Sequence, residues 1–421
     1  MAVLMEKREI PVKGEYDVIV AGAGVAGLAA ALAAKRAGMR VLLLEKSMEL
    51  GGLATLGHVN YYVPMCNGRG IQIIRGMVDE FVELAVRYGY DVRHEEWRDG
   101  RTPEGMNNPP RYDVRYSACM FALALTELIH AEGIDLSFDT IASEPVMEGK
   151  HCCGLIVENK SGRQFYAASV VIDATGDADI LYRAGVPCVQ GGNYHTYVAY
   201  ALDLEHCRMA SEHGRIHEAV YNVAGGWADL YGGGHPEGMP LYTGTSGEDV
   251  NRYLITNQIE MLNQLKKDDP NSRQVIALPG MCQFRTTRCI EGDYILQESD
   301  AYRHFEDSIA AINDFDRRDY LYEVPYRTLI RSGFDNLLTA GRSASAAGYA
   351  WDVLRVIPPA ILTGQAAGCA AAQAVRTGCA VTELDVSALQ KTLERQNVLI
   401  HFDDSWVPES GGGERVETGH I

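Results

Sequence analysis

The chain predicts an α/β fold, a parallel-sheet domain interrupted by a less regular α+β insertion. Three observations predict it. Residues 17–45 read as strand, glycine-rich turn, helix and strand. Residues 134–172 alternate short strands with turn signals and end on another apolar strand. From about residue 188 the texture changes, and the apolar α/β texture returns only at 336–342.

The elements follow in order. Asp17–Ala21 is short, apolar and stopped by glycine, the pattern of a buried parallel strand. Val25–Ala37 is rich in Ala and Leu and is closed by Gly38, which predicts a helix. Val41–Leu44 predicts the next strand. Gly22, Gly24 and Gly27 between them make a GxGxxG turn. Gly22 permits the tight turn, Gly24 lets the backbone approach a pyrophosphate, and Gly27 lets helix and strand pack closely. The pyrophosphate then sits at the helix N-terminus, where free N–H groups favour anions. Glu45 ends the second strand, 18 positions after Gly27. An acid there accepts hydrogen bonds from ribose hydroxyls and disfavours a 2′-phosphate. Strand, helix, spacing and acid together predict a dinucleotide in a Rossmann-like domain.

Amphipathic helices are predicted at 72–90 and 117–132, then a β-meander over 134–172 with turns at Glu148-Gly149 and Ser161-Gly162. "VVIDATGDAD" closes it with a second close backbone approach at Thr175-Gly176. Weak periodicity follows, with one clear helix at 248–267 and strand-like residues around "QVIALPGMCQFRTTRCIEG". A last amphipathic helix is predicted near 385–397. The expected boundaries are 1–187 and 326–405 for the nucleotide-binding domain, 188–325 for the inserted substrate (cap) domain, and 406–421 for a disordered tail. A cleft between the two domains is the expected site.

Composition excludes several function classes. The 421 residues are 47% hydrophobic and 22% charged, ordinary for a globular protein. The net charge of -18 argues against nucleic acid or an anionic membrane surface as partner. No apolar run reaches the length of a membrane span, and the first 17 residues lack the pattern of a signal peptide. None of the ten cysteines forms a Cys-x-x-Cys pair. Reduced thiols, a cytoplasmic location and no metal cluster are therefore expected. His213 and His217 stand at metal-ligand spacing, but Gly214 weakens the helix and no third ligand is evident, so no metal is assigned.

The pieces "AGAGVAGLAAALAAKRAG…LLLEK", "GGLAT", "VVIDATGDAD", "TTRCIEGDY" and "NLLTAGR…RVIPPAILTGQAAG" span residues 17 to about 377. As a set they resemble the FAD-dependent oxidoreductases of the glutathione-reductase-like superfamily, in its fumarate-reductase-like branch. The resemblance implies a three-layer ββα arrangement for the first domain and an extended, non-covalent FAD across it. It implies that Val25 and Ala26 contact the diphosphate, and Glu45 and Lys46 the adenosine ribose. Gly52, Leu53, Ala54 and Thr55 would line the route to the flavin. Ile141 would offer a backbone contact to adenine, and Ala174, Thr175 and Gly176 would close the adenosine side. Gly341 and Arg342 would contact the ribityl-phosphate region. A second complete GxGxxG unit and a redox cysteine pair are both missing, so a pyridine-nucleotide disulfide reductase is not expected. Electrons would pass between a small-molecule substrate and a separate acceptor or donor. The oligomeric state is not legible.

Around the flavin, His58 and Tyr61 follow the "GGLAT" loop and are candidates to move a proton. Some relatives of the succinate dehydrogenase type carry FAD covalently on a His near this region; the match here does not support that. Arg285 and Arg288 stand three apart, with Arg288 the favoured ligand for a substrate anion and Arg355 the second choice. Each has a plainer reading, as a solvated loop residue or an ion-pair partner. In "WDVLRVIPPAILTGQAAG", Pro358-Pro359 fix the start of a helix whose N-terminus, through the amides around Ala360 to Leu362 and with Pro358 and Ile361 at the site, would face the flavin's pyrimidine end. Gly364, Ala366, Ala367 and Gly368 would let that helix pack against the first βαβ unit. The function expected is hydride transfer between flavin N5 and a small anionic or polar substrate. The alternatives are a non-redox flavin enzyme (hydratase, isomerase or cyclase) and an electron-transfer flavoprotein subunit.

Overall fold

The computed structural model of the protein describes residues 5–93 and 111–409. Its main sheet contains β1 (Val12–Ala21) and β2 (Val41–Leu44). After the two-residue pair β3 (Tyr61–Tyr62) and β4 (Val114–Arg115) come β5 (Asp135–Ser137), β6 (Ile141–Glu148), β7 (His151–Asn159) and β8 (Gly162–Asp173). The order is β5-β2-β1-β8-β7-β6. Strands β5, β2, β1 and β8 run parallel. The meander β6-β7-β8 is antiparallel. A late strand, Leu337–Thr339, adds in parallel to the far half of β8, at Val171–Asp173.

Alternation along β1 sends its side chains to two cores. Val18 and Val20 join the core beneath helix α1 (Val25–Arg36), whereas Ile19 and Ala21 join the meander side with Leu155 and Val157. Both faces are covered along Val18–Ala21, and that stretch is apolar throughout. Helices α2 (Met77–Val86) and α3 (Ala118–Ala131), which fall within the helices predicted at 72–90 and 117–132, pack on the α1 side, and the short α4 (Asp179–Arg183) follows β8. This is the expected ββα layering.

The insertion begins with the short β9 (Cys188–Gln190). It builds a three-stranded antiparallel sheet from β10 (Thr196–Asp203), β11 (Val220–Trp227) and β12 (Arg273–Ala277). Helix α5 (Leu204–His213) ends at Gly214, which adopts φ 66. His213 and His217 are therefore not on one helical turn; His213 bonds Glu218 instead. Helix α6 (Gly247–Leu265) covers the sheet through Tyr253, Met261 and Leu265, against Tyr197 and Phe284.

β13 (Arg288–Ile290) pairs with β9 and leads back. The hairpin β14 (Ser308–Asn313) and β15 (Leu321–Pro325) falls within the 188–325 insertion of the sequence reading. Its Ile309, Ala310, Tyr322 and Val324 side chains nevertheless belong to the α1 core. The late strand, β16 (Leu337–Thr339), is followed by α7 (Tyr349–Arg355), α8 (Ile357–Thr377) and α9 (Val386–Arg395). Most of the tail, residues 410–421, lies outside the described residues.

Helix α8 is buried along nearly its whole length against α1. A Cβ on Gly364 would lie 2.1 Å from the Ala26 carbonyl oxygen, and one on Gly368 2.2 Å from that of Ala30. Backbone meets backbone here, which only glycine allows. No single helix among the described residues is long and apolar enough to cross a membrane.

Candidate active site

The C-terminal ends of β1, β2, β8 and β16 open onto one cavity of about 1170 Å³. The β10–β11 sheet and residues 280–285 of the insertion close its other side. Ligand sites on parallel sheets lie at these strand ends. A typical small-molecule site is ~300–1,000 Å³, so this one has room for an extended dinucleotide and a substrate.

The glycines form a cradle. Gly22 (φ 98) turns beside Ala174, whose carbonyl oxygen would lie 2.5 Å from an added Cβ. A Cβ on Gly27 would lie 1.9 Å from the Gly22 oxygen. Gly27 thus serves helix–strand packing and does not line the cavity. Gly24 is the opposite case: a Cβ there would meet no protein atom within 4 Å. Its bare backbone faces the cavity. The first α1 bond runs from Leu28 N–H to the Gly24 oxygen, at 2.9 Å. The amides of Val25, Ala26 and Gly27 are therefore outside the helix ladder. No side chain caps this end and its first turn has no acid. Free amides, the helix dipole and an open approach fit a diphosphate.

The second loop closes on the first. Gly51 N–H donates to the Ala23 oxygen at 2.9 Å, and Gly52 (φ 57) lies against Gly24. Gly52, Leu53 and Ala54 line the cavity. Thr55 does not: it is buried, and its hydroxyl donates to the Leu50 oxygen at 2.5 Å. Glu45 lines the cavity with Lys46, and its carboxylate accepts from Ala23 N–H at 2.8 Å and Ser47 N–H at 2.7 Å. Ile141, Ala174, Thr175, Gly176, Gly341 and Arg342 also line it. Arg342 is anchored by donation to the Gly176 oxygen at 2.7 Å and by an ion pair with Asp177 at 2.5 Å.

Asp173 was not singled out from the sequence. Fully buried, it accepts from the amides of Thr175, Ile180 and Leu181 and from the Thr175 hydroxyl. Burial pushes its carboxyl above the usual range. It fixes the loop that Gly22 needs as a neighbour.

The start of α8 differs from expectation. Its first turn holds Ile357, Pro358 and Pro359, and the Ala360 N–H already bonds the Val356 oxygen at 3.0 Å. The amides from Ala360 onward belong to the helix ladder. The prolines carry no N–H, which leaves Ile357 as the one amide of that turn outside the ladder. Pro358 and Ile361 are buried away from the cavity; Val356, Ile357 and Ala360 line it.

At the other end of the cavity, His58 sits at φ 59 with its ring stacked on Tyr200, centroids 4.1 Å apart. Its Nδ1 is buried without a hydrogen-bond partner. Burial lowers its pKa, which keeps the imidazole neutral. Tyr61 also lines the cavity, but its hydroxyl donates to Asp113 at 2.7 Å. Burial and the Asp113 charge raise its pKa further.

The two arginines of "FRTTRC" part company. Arg288 does not line the cavity. It pairs with Asp179 at 3.3 Å, donates to the Asp177 oxygen and lies over the Tyr182 ring at 4.0 Å. Arg285, the less favoured of the pair from sequence, lines the cavity. It donates to the Asp229 oxygen at 2.7 Å, and no carboxylate among the described residues lies within ion-pair distance. Burial, then the positive charge of Arg355, push its pKa down to about 10. Arg355 lines the same cavity and pairs with Asp352 at 2.7 Å. The two cations thus line the same cavity, with Asp352 and Asp229 near enough to offset part of the burial effect on Arg285. Arg115, Trp227, Tyr231 and Asp316 also line the cavity. They come from distant segments, and no motif marks them.

A model of the FAD dependent oxidoreductase family matches residues 17–230 and 243–393. The chain belongs to that family. It is an FAD-dependent oxidoreductase, with FAD as its cofactor. Curated relatives match over part of their length. A thioredoxin reductase of Ureaplasma parvum is 35% identical over 80 residues, 19% of this chain and 26% of that protein. An L-aspartate oxidase of Mycobacterium bovis is 30% identical over 192 residues, 40% of this chain and 36% of that protein. The matches thus span only about a quarter to a third of those relatives. Among solved structures, p-nitrophenol 4-monooxygenase from Pseudomonas putida is similar at 14% identity and a TM-score of 0.48, covering 94% of this chain and 91% of that one. A geranylgeranyl bacteriochlorophyll reductase-like protein from Thermoplasma acidophilum is similar at 14% identity and a TM-score of 0.44, covering 93% and 94%.

Proposed function

We propose that this FAD-dependent oxidoreductase transfers a hydride between flavin N5 and a small anionic organic substrate, in the manner of the fumarate-reductase-like branch it resembles. The observation that carries the reading is the cavity shared by Arg285 and Arg355. Arg285 is half-buried with no carboxylate at ion-pair distance among the described residues, and a substrate anion would pair with it through charge-assisted, bidentate hydrogen bonds. Arg355, already braced by Asp352, would orient the second anionic or polar group.

The cofactor's place follows from the cradle. The α1 amides would hold the diphosphate, and Glu45 the ribose. Gly341 and Arg342 would stand at the ribityl-phosphate region. Bound there, FAD supplies two-electron chemistry at a carbon centre. The protein's own part is to position, to exclude water and to move a proton. His58 is the proposed proton carrier: it lines the cavity, is kept neutral by burial and has a ring nitrogen free of other duties. Tyr61 lines the same cavity with its hydroxyl already donated to Asp113, and its proposed part is that of a positioning residue.

The test is anaerobic. Small carboxylic acids in reduced and oxidised forms are screened for bleaching of the bound flavin, or for reoxidation of the dithionite-reduced flavin. Redox turnover with a carboxylate is the expected result. A flavin that responds only to uncharged compounds would overturn the anionic assignment. Turnover without flavin oxidation or reduction would overturn hydride transfer.

A further inference from the structure

We propose that His304, Glu323 and His401 form a site for a divalent transition-metal cation of the zinc class, tying the C-terminal segment to the β14–β15 hairpin. Their three ligand atoms all lie within 4.8 Å of one another. His304 Nδ1 is 2.6 Å from Glu323 Oε1, and His401 Nδ1 is 3.0 Å from Glu323 Oε2. None of the three lines the flavin cavity.

The charge arrangement points to a cation. Glu323 is fully buried on β15. Among the described residues no Lys or Arg pairs with it; its ion-pair partners are the two histidines. Its Oε2 also accepts from the Phe305 amide at 2.7 Å. Asp404 Oδ1 stands 3.0 Å from the other nitrogen of His304, Nε2. A carboxylate there accepts from Nε2–H and turns Nδ1 toward Glu323, the outer-ring arrangement of many zinc histidines. At 2.6 Å Nδ1 and the carboxylate oxygen share a proton, which a cation taken up by the cluster would displace.

One cation satisfies both imidazoles and the buried carboxylate. Two nitrogens and one carboxylate are a ligand set of zinc, with a further position left for water. Imidazole donors disfavour magnesium and calcium. Neighbouring ligands around zinc at bonds of ~2.0–2.1 Å stand roughly 3.4 Å apart. The two His–Glu contacts therefore need to open by less than about 1 Å. Both histidines are half-exposed, at 41% and 47% of their side chains, which leaves an entry path.

The location gives the cation a task. The Leu399 oxygen accepts from Ala311 N–H at 2.6 Å, and the Ile400 oxygen accepts from the Ser308 hydroxyl at 2.7 Å. The segment after α9 thus already lies beside β14, and the cation adds a tie to β15. The ligands lie 19 and 78 positions apart in the chain, so no sequence motif announces them.

The experiment uses the untagged holoprotein, stripped with EDTA and titrated with zinc chloride by calorimetry. Wild type is expected to take up one zinc per chain and to gain thermal stability that EDTA reverses. His401→Ala and His304→Ala should bind about 100-fold more weakly while keeping the flavin spectrum. Zinc-edge X-ray absorption on wild type keeps the test independent of any variant that fails to fold, and should show nitrogen and oxygen neighbours only. No zinc uptake by wild type, undiminished uptake by both folded variants, or sulfur in the zinc shell would each overturn the proposal. The first result would leave a proton on each Nδ1 as the holder of the cluster.

Discussion

Arg285 and Arg288 show how much depends on where a single side chain points. They stand three apart on a segment that is not helical, so they face different ways. Pairing of β13 with β9 commits Arg288 to Asp179, and Arg285 is left at the cavity. The sequence reading favoured Arg288, which does not line the cavity; the strand that decides lies about a hundred positions earlier, beyond the reach of local pattern. Arg285→Met should raise KM for an anionic substrate by about 10- to 100-fold, the size of one charged hydrogen-bonding contact. Arg288→Met should leave KM near wild type and lower the melting temperature. Steady-state kinetics and a thermal melt separate the two. His58 carries its own prediction. Burial disfavours its charged form, so its pKa lies below the ordinary value. If the neutral imidazole is the base, activity falls as pH drops through that lowered value. The acid limb of the kcat/KM profile should be missing in His58→Gln; a limb that persists would assign the proton to another group.

The βαβ unit was the most legible element. Glycine spacing, strand length and the Glu45 position all follow from local sequence, and β2 falls on its predicted residues. Gly24 and Gly364 make contrasting tests of that unit. A Cβ on Gly24 would meet no protein atom, and its φ of -66 suits any residue. Gly24→Val should therefore fold with a near-normal melt and lose FAD. At Gly364 the Cβ meets the Ala26 backbone, so Gly364→Ala should force α1 and α8 apart. Overpacking of this kind costs about 1–3 kcal/mol. Chemical denaturation together with the flavin content of the purified protein distinguishes these outcomes. The first turn of α8 was less legible. Pro358-Pro359 do mark its start, but they also remove donors, and the sequence reading counted amides that the Val356 oxygen and the helix ladder already occupy.

At the scale of the molecule, the insertion closes the cavity through few bonds. Gln283 donates to the Gly57 oxygen at 2.7 Å and to the Val198 oxygen, and accepts from Val198 N–H. Gly280 N–H donates to the Leu56 oxygen at 2.9 Å, and the Tyr200 hydroxyl to the His58 oxygen. Each such bond contributes about 0.5–1.5 kcal/mol. Gln283→Leu should loosen the contact and speed amide exchange across 51–60 and 196–202, with the main sheet unaffected. This joint was invisible in sequence because it links the segment after "GGLAT" to residues 142 to 226 positions away. The β14–β15 hairpin was misplaced for a related reason: its apolar residues read alike in either domain, and only packing against α8 decides which core they fill.

The central claim, an anion held by Arg285 beside the flavin, is tested most directly by titrating the oxidised holoenzyme with small mono- and dicarboxylates. The flavin absorption band is followed in wild type and in Arg285→Met. A saturable spectral shift in wild type, with Kd raised about 10- to 100-fold in the variant, is the predicted result. Equal affinity in the two proteins, with flavin bound in both, would contradict it.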